Sequence, residues 1–178
     1  TSKWLQKREK SLLSHKTKLQ DDLVFGWKEP NTHLFIEYFK LYFKNLKYIH
    51  VIRNGLDMAY SKNQNQVKFW KNYFLPDIKT ITPRESLKFW CLANKRAIET
   101  CQKHNIEHII VNYDNLCTEK HNELRKIASF IGAESDLILK FERIIKKPHS
   151  IGRFKKFGVD TFDREDVLYV SNLGFETE

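Results

Sequence analysis

The segment Tyr48-Ile49-His50-Val51-Ile52-Arg53-Asn54-Gly55-Leu56-Asp57-Met58-Ala59-Tyr60-Ser61 holds the residues best spaced for chemistry. An apolar run ends on an arginine, breaks at Asn54-Gly55, and resumes as a helix with Ser61 in its opening turns. An arginine at the carboxyl end of a parallel strand faces the positive end of the next helix. Together they offer a charged fork, backbone N–H groups and a hydroxyl to one phosphate-like group. The loop therefore predicts a phosphorylated ligand. The blander reading pairs Arg53 with Asp57 and leaves Ser61 as a serine that a helix tolerates.

Such groups need a sheet edge to hold them, and the hydrophobic pattern supplies one. Apolar runs over 23–27, Lys47–Ile52 and 108–111 read as strands, the first stopped by Lys28-Glu29-Pro30. Residues 4–19 carry a weak helical pattern. Beyond Asn31 and Thr32, Phe35, Tyr38, Phe39, Tyr42 and Phe43 fall on one helical face, an aromatic stripe expected in the core. A second helix is expected from Leu56 to about Phe69, then a loop or lid over 70–82. A long helix opens at Pro83, with Glu85 in its first turn and Leu87, Trp90, Cys91, Asn94, Ile98 and Cys101 at helical steps. Helices over 119–130, ending at Gly132, and over 135–145 complete the pattern. Strand and helix alternate, which argues for an α/β fold with a mainly parallel sheet flanked by helices on both faces. Ligands in such sheets sit beyond the carboxyl ends of the strands. Lys28, Arg53 and Tyr113 all fall at such ends.

The run Val51-x-Arg53-x-x-x-Asp57-x-x-x-Ser61 also resembles a motif of the sulfotransferases that use 3′-phosphoadenosine 5′-phosphosulfate (PAPS). Gly26-Trp27-Lys28-Glu29-Pro30 is similar to that family's Lys-acid-Pro turn, and Tyr113-Asp114-Asn115-Leu116 to its Y-[ED]-x-L strand end. Ser150-Ile151-Gly152-Arg153-Phe154 resembles the segment that closes over the donor. The resemblance implies a three-layer fold of the P-loop kind. In it Arg53 and Ser61 would grip the 3′-phosphate, Tyr113 would lie near the adenosine, and Ser150 and Arg153 would enclose the donor. Lys28 would be catalytic, reaching the sulfuryl group and its bridging oxygen. PAPS would be the co-substrate, 3′-phosphoadenosine 5′-phosphate the product, and no metal is implied.

The residues alone leave plainer alternatives beside each role. Lys28 could be a surface lysine, Tyr113 a half-buried core tyrosine, and the basic loop around Arg153 simply solvated. The family's Gly-rich turn, G-x-x-[RK]-[ST]-G-[ST]-[ST], does not occur between Thr1 and Phe25. We therefore expect one domain over 1–178, incomplete at its amino-terminal side, with an upstream strand and turn missing. The general base is open among Glu29, His33 and an upstream residue, because the position two after Lys28 is Pro30. Glu29 suits a structural role at the turn, and His50 suits the core.

Composition sets the outer limits. A chain of 178 residues, 41% hydrophobic and 13% aromatic, is long enough for one cored domain. Lys and Arg number 31 against 22 acids, a net charge of +9 that favours anionic partners. The basic residues are scattered and carry no nucleic-acid-binding signature, so a nucleic-acid partner is not expected. Cys91, Cys101 and Cys117 match no metal spacing or disulfide framework, which suits a reducing, cytoplasmic setting. No run of about 18 apolar residues predicts a membrane span. The expected function is transfer of a sulfuryl group from PAPS to a hydroxyl or amine of a small molecule, carbohydrate or peptide. The alternative is a non-catalytic nucleotide-binding or interaction domain of the same fold. A nucleotide kinase is disfavoured because no Gly-Lys-Ser/Thr run occurs.

Overall fold

A computed structural model describes residues 26–178. The helix expected over 4–19 and residues 23–25 of the first expected strand lie outside the described residues. The chain divides into two compact units, Thr1–Thr32 and His33–Glu178. In the first, Gly26 and Trp27 are not in a strand, against expectation. Their stretch leads into a turn in which the Glu29 carbonyl accepts the Thr32 N–H at 3.1 Å.

The second unit is mixed α/β. Its helix α1, Thr32–Tyr42, leads to strand β1, Lys47–Ile52, and a short helix α2, Gly55–Ala59. Then come α3, Asn65–Phe74, and the long α4, Pro83–Lys103, before strand β2, Glu107–Asn112. Helices α5, Tyr113–Thr118, α6, Lys120–Ile131, and α7, Asp136–Ile144, follow, then a 3₁₀ turn, Arg153–Lys156, and α8, Arg164–Asn172. β1 and β2 pair in parallel, from Lys47 opposite Glu107 to Ile52 opposite Asn112. A parallel pair needs a long crossover, and α2, α3 and α4 provide it. Among the described residues the sheet has these two strands, smaller than the flanked sheet expected.

Helix α4 organises the packing. Pro83 occupies its first turn, and Thr82 and Glu85 form a capping box that satisfies two otherwise orphaned N–H groups. Its Leu87, Trp90 and Cys91 pack with Ile52, Leu56, Phe154, Val170 and Phe175 in the main core. Gly55 is where α2 meets α4: a Cβ there would lie 2.8 Å from Trp90 ring carbons and 2.9 Å from Leu87 Cδ1. Arg96 ties α1 to the same helix, donating to the carbonyls of His33 at 2.9 Å and Leu34 at 3.4 Å and pairing with Glu37 at 3.0 Å.

Several expectations are corrected. The aromatic stripe of α1 is core only in part: Phe39 and Phe43 are half-buried, Phe35, Tyr38 and Tyr42 are exposed, and the fully buried residues of this helix are Leu34 and Ile36. A kink at Phe35, φ −125° and ψ 15°, sets that ring out of phase with the aromatics that follow it. The single helix expected over 56–69 is two helices, with Tyr60 to Gln64 between them. Gln64 explains the break, since its side-chain amide donates to the carbonyls of Met58, Ala59 and Ser61 and so caps α2 from outside. Residues 70–74 belong to α3 rather than to a loop. Gly132 ends α6 in the left-handed conformation at φ 70°, as expected. Among the described residues no helix is long and apolar enough to cross a membrane.

Candidate functional site

Both strands end on the same device. Asn54, after β1, accepts the Leu56 N–H at 2.9 Å and so starts α2. Asn112, the last residue of β2, accepts the N–H groups of Asp114 and Asn115 at 3.0 Å and starts α5. Each asparagine then spends its amide on the carboxyl-terminal tail, Asn54 on the Glu176 carbonyl at 2.8 Å and Asn112 on the Gly174 carbonyl at 3.2 Å. Both are buried, so these bonds satisfy groups that could not reach water.

Arg53 stands at this edge. Its Nη2 donates to Ser150 Oγ at 2.8 Å, and its guanidinium carbon lies 5.1 Å from the centre of the Tyr113 ring. Arg53 Nε is buried with no hydrogen-bond partner among the described residues. Asp57 does not pair with Arg53. Its Oδ2 accepts the Gly152 N–H at 2.8 Å and its Oδ1 the Phe154 N–H at 2.9 Å. Arg153 Nη1 reaches back to the Asp57 carbonyl at 3.3 Å. Arg53, Tyr113, Ser150 and Arg153, separated by up to a hundred positions, therefore meet around one loop.

A second carboxyl belongs to the group. Burial, and then the nearby Asp57 charge, push the Asp114 pKa up, opposed by the Arg53 charge and by a bond from the Asn54 N–H. Tyr113 is also raised, first by its hydrogen bond with Cys117 and then by burial. The arrangement sets two acids and an arginine in one partly desolvated patch, where charge–charge effects are stronger than in open water.

Ser61 does not join this group. It follows α2 instead of lying in a helix, and its hydroxyl accepts the Asn63 N–H at 3.3 Å. With Lys62, Gln64, Thr82 and Ser86 it lines a shallow cleft of about 250 Å³. Lys28 is exposed and belongs to the first unit. Glu29 is held by its turn, Oε1 accepting from the Asn31 amide at 3.1 Å, which fits a structural role. His50 is a satisfied core histidine. Its Nε2 meets Asn94 Oδ1 at 2.8 Å and its Nδ1 meets the Tyr48 hydroxyl at 2.9 Å. Asn94 donates its own amide to the Trp90 carbonyl, so Oδ1 is an acceptor and Nε2 carries the proton. Burial lowers the His50 pKa to about 4.

Asp57, Asn54 and Asn112 were not singled out by their spacing. Asp57 was visible as the acid of the R-x-x-x-D run, but its partners are backbone groups 95 and 97 positions away, which leave no mark on residue type.

A family model described as the sulfotransferase family matches residues 2–136. The chain belongs to the sulfotransferase family. No curated protein and no solved structure matches it. The matched span includes Lys28, Arg53, Ser61 and Tyr113 and ends before Ser150 and Arg153. The link between those last two residues and the sulfotransferase core is thus a matter of geometry: they reach it through Arg53 and Asp57. Family membership makes sulfuryl transfer the general chemistry of this sulfotransferase.

Proposed function

We propose that this chain binds PAPS and transfers its sulfuryl group to a hydroxyl or amine acceptor, within a three-layer P-loop-like fold. The observation that carries the reading is the meeting of Arg53 and Ser150 beside Tyr113, with one buried Arg53 donor left over. A phosphate suits that arrangement. The guanidinium offers parallel N–H donors to two phosphate oxygens, and Nε needs an acceptor that the described residues do not provide. Tyr113 has the aromatic surface to flank a nucleoside, and Arg153, bonded to the Asp57 carbonyl, adds charge.

In this reading Arg53, Ser150 and Arg153 hold the 3′-phosphate and Tyr113 orients the adenosine, while Ser61, which lines a separate cleft, would add its hydroxyl only if the segment after α2 turned toward Arg53. Lys28 stabilises the charge that grows on the bridging oxygen as the sulfuryl group leaves. That role needs a cation and no covalent step from the protein. The acceptor is a small molecule, a carbohydrate or a peptide.

Calorimetry with 3′-phosphoadenosine 5′-phosphate (PAP) and with 5′-AMP tests the binding half. The chain is expected to prefer PAP, and Arg53→Ala to abolish the preference. Equal weak binding of both nucleotides by the parent would remove the reading. The transfer half is tested with radiolabelled PAPS and a panel of hydroxyl and amine acceptors. Lys28→Ala is expected to abolish turnover and to leave PAP binding intact.

A further inference from the structure

Asp57 is among the most buried side chains in the protein, 2% exposed, yet it is an acid. A buried carboxylate is costly unless its oxygens are met by donors. The cation nearest in sequence is Arg53, four residues back along the chain. An Arg53–Asp57 pair would satisfy both groups and close the arginine to any ligand. The structure does something else. Both Asp57 oxygens are taken by backbone N–H groups of one loop, Gly152 at 2.8 Å and Phe154 at 2.9 Å. These bonds cap the 3₁₀ turn Arg153–Lys156, whose entry residue Gly152 has φ 78°, a conformation that glycine adopts without strain. Phe154 is driven into the main core alongside Ile52 and Leu56. The loop is thereby locked at two points, and its start delivers Ser150 to Arg53.

We propose that Asp57 is a positioning residue of the donor site: by binding the 152–154 backbone it withholds itself from Arg53 and sets Ser150 and Arg153 around the arginine fork. It touches no substrate. Its contribution is to selectivity for the 3′-phosphate, through the residues it holds. This inference rests on the PAPS reading above and adds to it the residue that builds the phosphate pocket.

Asp57→Asn is the informative variant, because it keeps the shape and the carbonyl acceptor while turning one oxygen into an N–H donor that faces a backbone N–H. Two measurements are made on the full chain. The first is amide hydrogen exchange, with β1 and β2 as internal reference. The second is the ratio of PAP to 5′-AMP affinity. In the variant, exchange at Gly152 and Phe154 should accelerate while the strands stay protected, and PAP affinity should fall about tenfold or more with 5′-AMP affinity unchanged. A purely structural role would weaken both nucleotides alike. Unchanged PAP selectivity in the variant, with the parent selective, would overturn the assignment and leave the PAPS reading standing. A parent without selectivity would overturn both. Should Asp57→Asn fail to fold, the parent alone decides: Gly152 and Phe154 amides that are protected without nucleotide, and more so with PAP, support the proposal. Amides that exchange freely, or that PAP leaves unchanged, refute it.

Discussion

Arg53 shows how little of a side chain's role is set by its type. Its guanidinium shares one donor with Ser150, lies against Tyr113 and keeps Nε without a hydrogen-bond partner among the described residues. A lysine would keep the charge and lose the fork. Arg53→Lys is therefore expected to weaken PAP by about tenfold or more with the 5′-AMP affinity unchanged. An equal loss for both nucleotides in calorimetry would count against the phosphate role. His50 gives a second test at this scale. Its pKa falls from 6.5 to about 4 on folding, so between those values the unfolded chain binds a proton that the folded chain refuses. Stability contributed here is full above the unfolded value and is lost as pH falls through this window. The whole effect is about 3 kcal/mol at most. Urea unfolding should show the stability gap between the parent and His50→Gln shrinking from pH 7 toward pH 4.5. A gap that does not change with pH would mean that His50 is not the titrating group.

Among the elements, α2 and α4 meet so closely at Gly55 that no side chain fits between them. A methyl group at Gly55 would push into the Trp90 ring and Leu87 at distances no relaxed core holds. Gly55→Ala should cost about 1–3 kcal/mol and lower the thermal midpoint followed by circular dichroism. No change would show that the two helices can part without cost. The same region marks what the sequence could tell. The Asn54-Gly55 break was legible because capping residues act locally. The end of α2 was not, because the Gln64 amide that caps it arrives from beyond the helix. The α1 aromatics misled for a related reason. Periodicity says which residues share a face, but not how much of that face a neighbouring element covers, and Tyr38 and Tyr42 stay exposed beside half-buried Phe39 and Phe43. Helix α4 was readable almost throughout, since its proline start, capping box and apolar steps all lie within its own residues.

For the molecule as a whole, the alternating pattern gave the parallel pairing of β1 and β2 and the convergence of Arg53 with Tyr113. Helix α8, only nine residues long, was not legible. The net charge of +9 has its own consequence. Attraction between a basic protein and a nucleotide bearing a second phosphate weakens as the screening length falls from about 30 Å at 0.01 M salt to about 8 Å at physiological strength. PAP affinity should drop more steeply with added salt than 5′-AMP affinity. Parallel slopes in a titration series would show that the extra phosphate meets no net positive field.

The carboxyl-terminal tail closes over this same edge, where Gly174 and Glu176 receive the two strand-end asparagines and Lys155 pairs with Glu176. Phe175 between them wedges against the Trp90 ring with centres 6.1 Å apart. Residues 174–176 thus work as a latch. Prising Phe175 out of its place beside Trp90 would strain both asparagine bonds together, and in Phe175→Ala the surviving nucleotide binding should decline in step with the loss of protection at Asn54 and Asn112 in hydrogen exchange.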